Sequence, residues 1–274
     1  MDIKKTKRYL FFSAVWALCA LIAITSATYA WFTSAPYANI TPMQGTVQGG
    51  DGNLFISNRP DGPFDTSCDL ILSGRTQTLH PITTADLTDF YIGTFQTPDG
   101  ITVRYADAND EVDDSAFHGF VYLKSEGSSS DIYFNQTGID FGNDKQVLGA
   151  MRLGLKITTS GGVKTHLFRL DDMADLTGIQ YNLTVPQDQT VVSSISDDGS
   201  PNYVNDPSKL ISRCFAQGDE YSFSRGEESL CSLQADEVAT VEYWLYLEGC
   251  DSNCINSVQG RLLSLQLAFA GVLN

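Results

Sequence analysis

The dominant pattern along this chain is alternation with period two. In "MRLGLKIT", Met151, Leu153, Leu155 and Ile157 share one face and Arg152, Lys156 and Thr158 take the other. "VEYWLYLE" sets Val241, Tyr243, Leu245 and Leu247 against Glu242, Trp244, Tyr246 and Glu248. "AFHGFVYLKS" alternates Phe117, Gly119, Val121 and Leu123 with His118, Phe120, Tyr122 and Lys124, and "RLLSLQLAF" aligns Leu263, Leu265, Leu267 and Phe269. Such alternation predicts strands with one face on a core and the other wetter. Shorter strands are predicted at "NLFIS", "CDLILS", "ITVRY", "DIYFN" and "THLFRL". Beyond residue 30, strong helical periodicity is absent. Short strands separated by Gly, Asn, Asp and Ser turns predict an all-β fold, an antiparallel β-sandwich of jelly-roll type.

Two stretches break the rhythm. Gly74 to Gly100 is polar, carries Pro81 and Pro98, and predicts a long connection with a short helix around "TTADLTDF". Residues 171–237 are rich in Asp, Ser, Gly and Pro and read as a long loop insertion between two core strands, of a length usually tied to function or mobility. The organisation expected is therefore residues 1–30 as a leader, 31–50 as an N-terminal segment, and 51–274 as one sandwich domain.

The leader differs from everything after it. Lys4, Lys5, Lys7 and Arg8 precede an uncharged run from Tyr9 to Ala30, the layout of a secretory signal helix. Thr28 and Ala30 occupy the −3 and −1 positions for cleavage before Trp31. About 20 apolar residues also span a bilayer, so an uncleaved membrane anchor is the competing reading. The expected location is outside the cell or on its surface, with membrane contact only through this segment.

Charge sharpens the picture. Taking away Lys4, Lys5, Lys7, Arg8 and Asp2 reduces 17 basic and 33 acidic residues to 13 and 32, a net charge of −19. That surface repels phosphate backbones, so nucleic acid is not an expected partner. Cys68, Cys214, Cys231, Cys250 and Cys254 lie after the leader. In an oxidising compartment the pairings nearest in sequence are Cys214 with Cys231 and Cys250 with Cys254, which leaves Cys68 over.

Catalytic motifs are missing from the sequence. There is no HExxH, GxSxG or phosphate-binding Gly-Lys-Ser/Thr loop, and His80, His118 and His166 have no close ligand partner in sequence. His118 reads as a structural or surface residue. In "DANDEVDD", the alternating Asp107, Asn109, Glu111 and Asp113 resemble the first ligands of a calcium loop, but the glycine and terminal glutamate of that loop are absent. A solvated hairpin is the preferred reading, so no cofactor is expected and calcium stays the alternative. Phe120, Tyr122, Trp244 and Tyr246 face outward and predict either a binding platform or burial beneath the long loops.

Three stretches together carry a resemblance. "ATYAWF" at the end of the apolar run, "FVYLKSEGSSSDIYF", and "YWLYLEGCDSNCINSVQGRLLSLQLAF" are similar to TasA/camelysin-like secreted proteins with a SipW-type signal peptide. In the last, Trp244, Leu247, Glu248, Gly249, Asp251 and Cys254 are the matching positions. Tyr246 splits that motif and Cys250 is an added cysteine. The resemblance implies a jelly-roll subunit of a fibre, biofilm matrix or cell-surface layer, released by signal peptidase and joined to its own kind or to other surface proteins by strand donation. Ile40, Met43 and Val47 are then the donor-strand candidates, with Ile40 to Val47 as a strand of the chain's own sandwich the alternative. Likeness to camelysin implies a secreted protease as a lesser alternative, and a surface-anchored adhesion module is the third reading.

Overall fold

The computed structural model describes residues 38–39, 46–50, 53–70, 78–95, 103–135, 145–170, 190–205, 214, 216–219, 222–226, 228–251, 254 and 266–274. The chain enters through β1 (Ala38–Asn39), β2 (Thr46–Gly50), β3 (Leu54–Ser57), β4 (Ser67–Asp69) and β5 (Thr78–Leu79). A three-stranded group follows, β6 (Thr83–Thr84), β7 (Phe90–Phe95) and β8 (Val103–Asp107). A helical turn, Asn109–Glu111 running into α1 (Val112–Ser115), leads to the long β9 (Ala116–Ser125) and then β10 (Ser130–Phe134). Next come α2 (Lys145–Ala150) and the hairpin of β11 (Met151–Thr159) and β12 (Gly162–Arg169). The second half holds β13 (Thr190–Ile195), β14 (Pro201–Asn205), β15 (Gln217–Asp219), β16 (Ser222–Ser224) and β17 (Cys231–Leu233). It closes with β18 (Val238–Leu247) and β19 (Gln266–Leu273).

Two five-stranded sheets form the body, in the orders β17-β10-β19-β2-β4 and β12-β11-β18-β9-β3. Every neighbouring pair in them is antiparallel except β2 and β19, which run parallel. The sheets share one core. Leu153, Leu155 and Ile157 of β11, Val241, Tyr243 and Leu245 of β18, and Phe117, Val121 and Leu123 of β9 come from one sheet; Ile132, Phe134, Leu267 and Phe269 come from the other. Each fully buried side chain of this size contributes about 1.5–3 kcal/mol. The period-two pattern thus does what it predicts, and the all-β sandwich is present. The "RLLSLQLAF" strand starts at Gln266; Leu263 and Leu265 lie outside the described residues.

Both sheets are covered on their outer faces as well. The β6-β7-β8 sheet lies on the second sheet, where Ile82, Leu87, Phe90 and Val112 pack with Ala116, Leu167, Trp244 and Tyr246. The β13-β14 hairpin adds a further layer through Tyr91, Tyr105 and Val192. On the first sheet, Ala216 and Phe223, beside and within the β15-β16 hairpin, pack with Tyr133, Ala270 and Val272.

Three local expectations are corrected. "TTADLTDF" forms no helix: Thr84 Oγ1 accepts from Leu87 N at 3.0 Å, and Asp86 Oδ1 accepts from Thr88 N at 2.9 Å. Side chains that bond their own neighbouring backbone compete with helix formation, and here they win. "DANDEVDD" is no open hairpin but the turn ending in α1. The 171–237 insertion supplies strands, including the edge strand β17 of the first sheet, with "DDGS" as the β13-β14 turn. Its residues 171–189 lie outside the described chain, as do 1–37 with Ala30 and Trp31. Among the described residues no helix is long and apolar enough to cross a membrane.

Candidate functional site

Strand register builds the site on the outer face of the second sheet. Three rows cross it: Arg152, Tyr246 and Ala116; Gly154, Trp244 and His118; Lys156, Glu242 and Phe120. Gly154 makes the middle row possible. A Cβ there would collide with the Leu87 side chain, so the missing side chain is the notch into which the covering loop drops Leu87. Leu87 reaches it with φ of +59°, a conformation costly for a non-glycine residue and held by its surroundings, the Thr84 hydroxyl that accepts from Leu87 N among them. Phe90 then lies over Trp244 and Tyr246, with ring centroids 6.0 and 6.4 Å away. Of the outward aromatics, Trp244 and Tyr246 are therefore buried under the cover, Tyr122 is half-buried, and Phe120 stays 41% exposed.

Where the cover ends, a cleft of about 360 Å³ opens, with Trp244 and Phe90 among its lining. His118 stacks on the Trp244 ring at 4.9 Å and 3°. Its Nδ1 lies 2.9 Å from Asp113 Oδ1 and its Nε2 lies 2.9 Å from Glu242 Oε1. Asp113 comes from α1, so the helical turn that replaces the expected hairpin is what delivers it. Lys156 and Asp110 complete the charged rim. The cleft pairs a flat aromatic floor with fixed carboxylates and one ammonium, a combination suited to a small polar or cationic group.

Further down the same face the polar groups are sealed. Arg152 is 1% exposed; it pairs with the fully buried Asp251 and donates to the Gly149 and Met151 carbonyls at 2.8 and 3.0 Å. Burial opposes its charge, but Asp251 and Glu248 more than restore it and raise its pKa. Glu248 Oε1 accepts from Cys250 N at 3.0 Å, and the Thr83 hydroxyl stands beside the same carboxyl. Among the described residues Glu248 Oε2 and Tyr246 Oη have no hydrogen-bond partner. Burial pushes the Glu248 carboxyl up to about 7, against the pull of Arg152 and these neighbours.

The other predicted residues scatter. Asp107 Oδ1 accepts from Asn109 N at 3.0 Å, Asn109 Oδ1 accepts from Phe90 N at 2.8 Å, and Asp113 pairs with His118. Glu111 is exposed in the same turn. Among the described residues no three His, Cys, Asp or Glu side chains gather at metal-ligand spacing. The two expected disulfides are not formed: among the described residues Cys68, Cys214, Cys231, Cys250 and Cys254 are not joined by any disulfide. Cys250 packs by Tyr91 and Tyr105 while Cys254 belongs to the main core, so four residues of separation do not bring them together. Burial pushes the thiols up, Cys68 to about 11 and Cys214, Cys231 and Cys250 to about 12, which keeps them protonated at neutral pH. Val47 lies in β2, opposite Leu267 on one side and Cys68 on the other; Ile40 and Met43 lie outside the described residues.

Sequence reasoning did not single out Arg152, Glu242 or Lys156, and it took Asp113 as a calcium-ligand candidate, not as a partner of His118. Alternation put the first three on the outward face, but only register aligns them with His118 and Tyr246. Comparison with protein-family models, curated proteins and solved structures gave no match to this chain.

Proposed function

We propose that this chain is a secreted structural subunit of an extracellular fibre, biofilm matrix or cell-surface layer, assembled by exchange of its N-terminal strand. The observation that carries the reading is the place of β2. This short segment from the N-terminal end lies inside the first sheet, parallel to β19, with only the three-residue β4 beyond it. Withdrawing β2 would leave the long β19 with a row of unpaired backbone groups. The same segment from a second copy can satisfy that row, since main-chain hydrogen bonds supply the affinity of added strands. Jelly-roll winding, cleavage by signal peptidase between Ala30 and Trp31, and a surface or extracellular location belong to this reading, which assigns no catalysis and no cofactor.

The test is secretion of the full chain from a Gram-positive host, N-terminal sequencing, and electron microscopy of the product. The expected outcome is a mature chain starting at Trp31 that forms fibres, and a variant lacking residues 31–50 that does not but binds a synthetic 38–50 peptide. A mature chain that stays monomeric at high concentration overturns the proposal, as does a truncated variant that polymerises equally well.

A further inference from the structure

The sealed end of the outer face joins five elements. Glu248 N donates to Ala150 O at 2.9 Å, tying the end of β18 to the start of β11. Ile82 N donates to Leu247 O at 3.0 Å and Gly249 N donates to Ile82 O at 2.9 Å, so β6 is held to this corner by a short parallel seam. Thr83 is fully buried here beside Glu248; its hydroxyl accepts from Val192 N at 3.2 Å, which brings in β13. Cys250 Sγ, 3.7 Å from Thr83 Oγ1 and 3.5 Å from Tyr105 Oη, adds β8.

The charges in this dry corner do not balance when every group is ionised. Among the described residues Arg152 is the one cation inside it, and it pairs with Asp251 and donates to two carbonyls. Arg169 stands opposite Arg152 on β12 and is only half-buried. The remaining titratable neighbours among the described residues are Tyr246, Cys250 and Cys254, all neutral at ordinary pH because burial raises their pKa values. An ionised Glu248 would therefore leave a second carboxylate with a bare buried oxygen, whereas the neutral acid is far cheaper to bury.

We propose that Glu248 is a protonation-controlled latch: its neutral carboxyl lets the β6-β7-β8 cover close on the sandwich, and ionisation loosens the cover along the Ile82 seam. The seam is the place to yield, because β18 is laddered on both sides by β11 and β9 whereas β6 is held by two backbone bonds. The closed corner, with its carboxyl at about 7, holds its proton more tightly than an opened, hydrated one near 4.5. Closure is thus fully favoured below pH 4.5, weakens as the pH rises to about 7, and levels off above it. The latch stands independently of strand exchange, since β2 belongs to the other sheet.

Hydrogen–deuterium exchange of the full chain from pH 5 to 8.5, corrected for the intrinsic pH dependence of exchange, tests it. Protection of residues 82–92 is expected to fall on the order of 50-fold over that range while residues 151–157 of β11 hold theirs. A Glu248→Gln variant is expected to keep the cover closed at every pH. Constant wild-type protection of residues 82–92 overturns the latch whether or not the variant folds, and so does a fall in Glu248→Gln equal to that of wild type.

Discussion

The two faces of β18 are made of the same strand and do different work. Its inward residues Val241, Tyr243, Leu245 and Leu247 enter a continuous apolar core, where any side chain of matching volume and polarity would serve. Its outward residues Glu242, Trp244, Tyr246 and Glu248 run from an open charged cleft to a sealed ionic corner. Burial is nearly as complete on the lower outward face as on the inward one, but there it is burial of charge and hydroxyl. One face is secured by area removed from water, the other by balance of charge, and the second is much the more sensitive to pH.

Removing the balancing cation is the severest way to break that contrast. Arg152→Met is expected to cost about 4 kcal/mol, because two carboxyls lose their counterion in a buried site. The loss should be larger at pH 8 than at pH 5, as denaturant unfolding at both pH values will reveal. On the inward face, Leu245→Ala is expected to cost about 3 kcal/mol through the cavity it leaves, and this cost should be the same at both pH values. A pH-dependent loss for Leu245→Ala would erase the distinction between the faces. His118→Ala removes two side-chain contacts with carboxylates at the open end of the outward face, where the partners are partly solvated, and thermal melts should register less than about 1 kcal/mol. A larger loss would mean that the cleft, too, is held as the sealed corner is.

The body of the fold was legible because strand alternation is a local signal. Leu153, Leu155 and Ile157 announce a buried face whatever lies opposite, and β9 matches its predicted span from Ala116 to Ser125. The cover was not legible. "TTADLTDF" looks helical until Thr84 and Asp86 cap their own backbone, and nothing near Leu87 in sequence reveals the notch at Gly154. The cleft was half legible: His118 and Glu242 were placed outward, but 124 residues separate them and only the β9-β18 register joins them. The Cys250 and Cys254 pairing misled because four residues of spacing say nothing about which packing layer each thiol enters.

The sequence by itself determined the strands, their inward faces and the acidic net charge, since these follow from side-chain period and composition. Only the tertiary structure decided that the outward face is covered, that Asp113 meets His118, and that Arg152, Asp251 and Glu248 share one dry corner. Those outcomes depend on strand register and on a loop packing across the sheet. Both are set by contacts between residues far apart in the chain, whose energies no local pattern records.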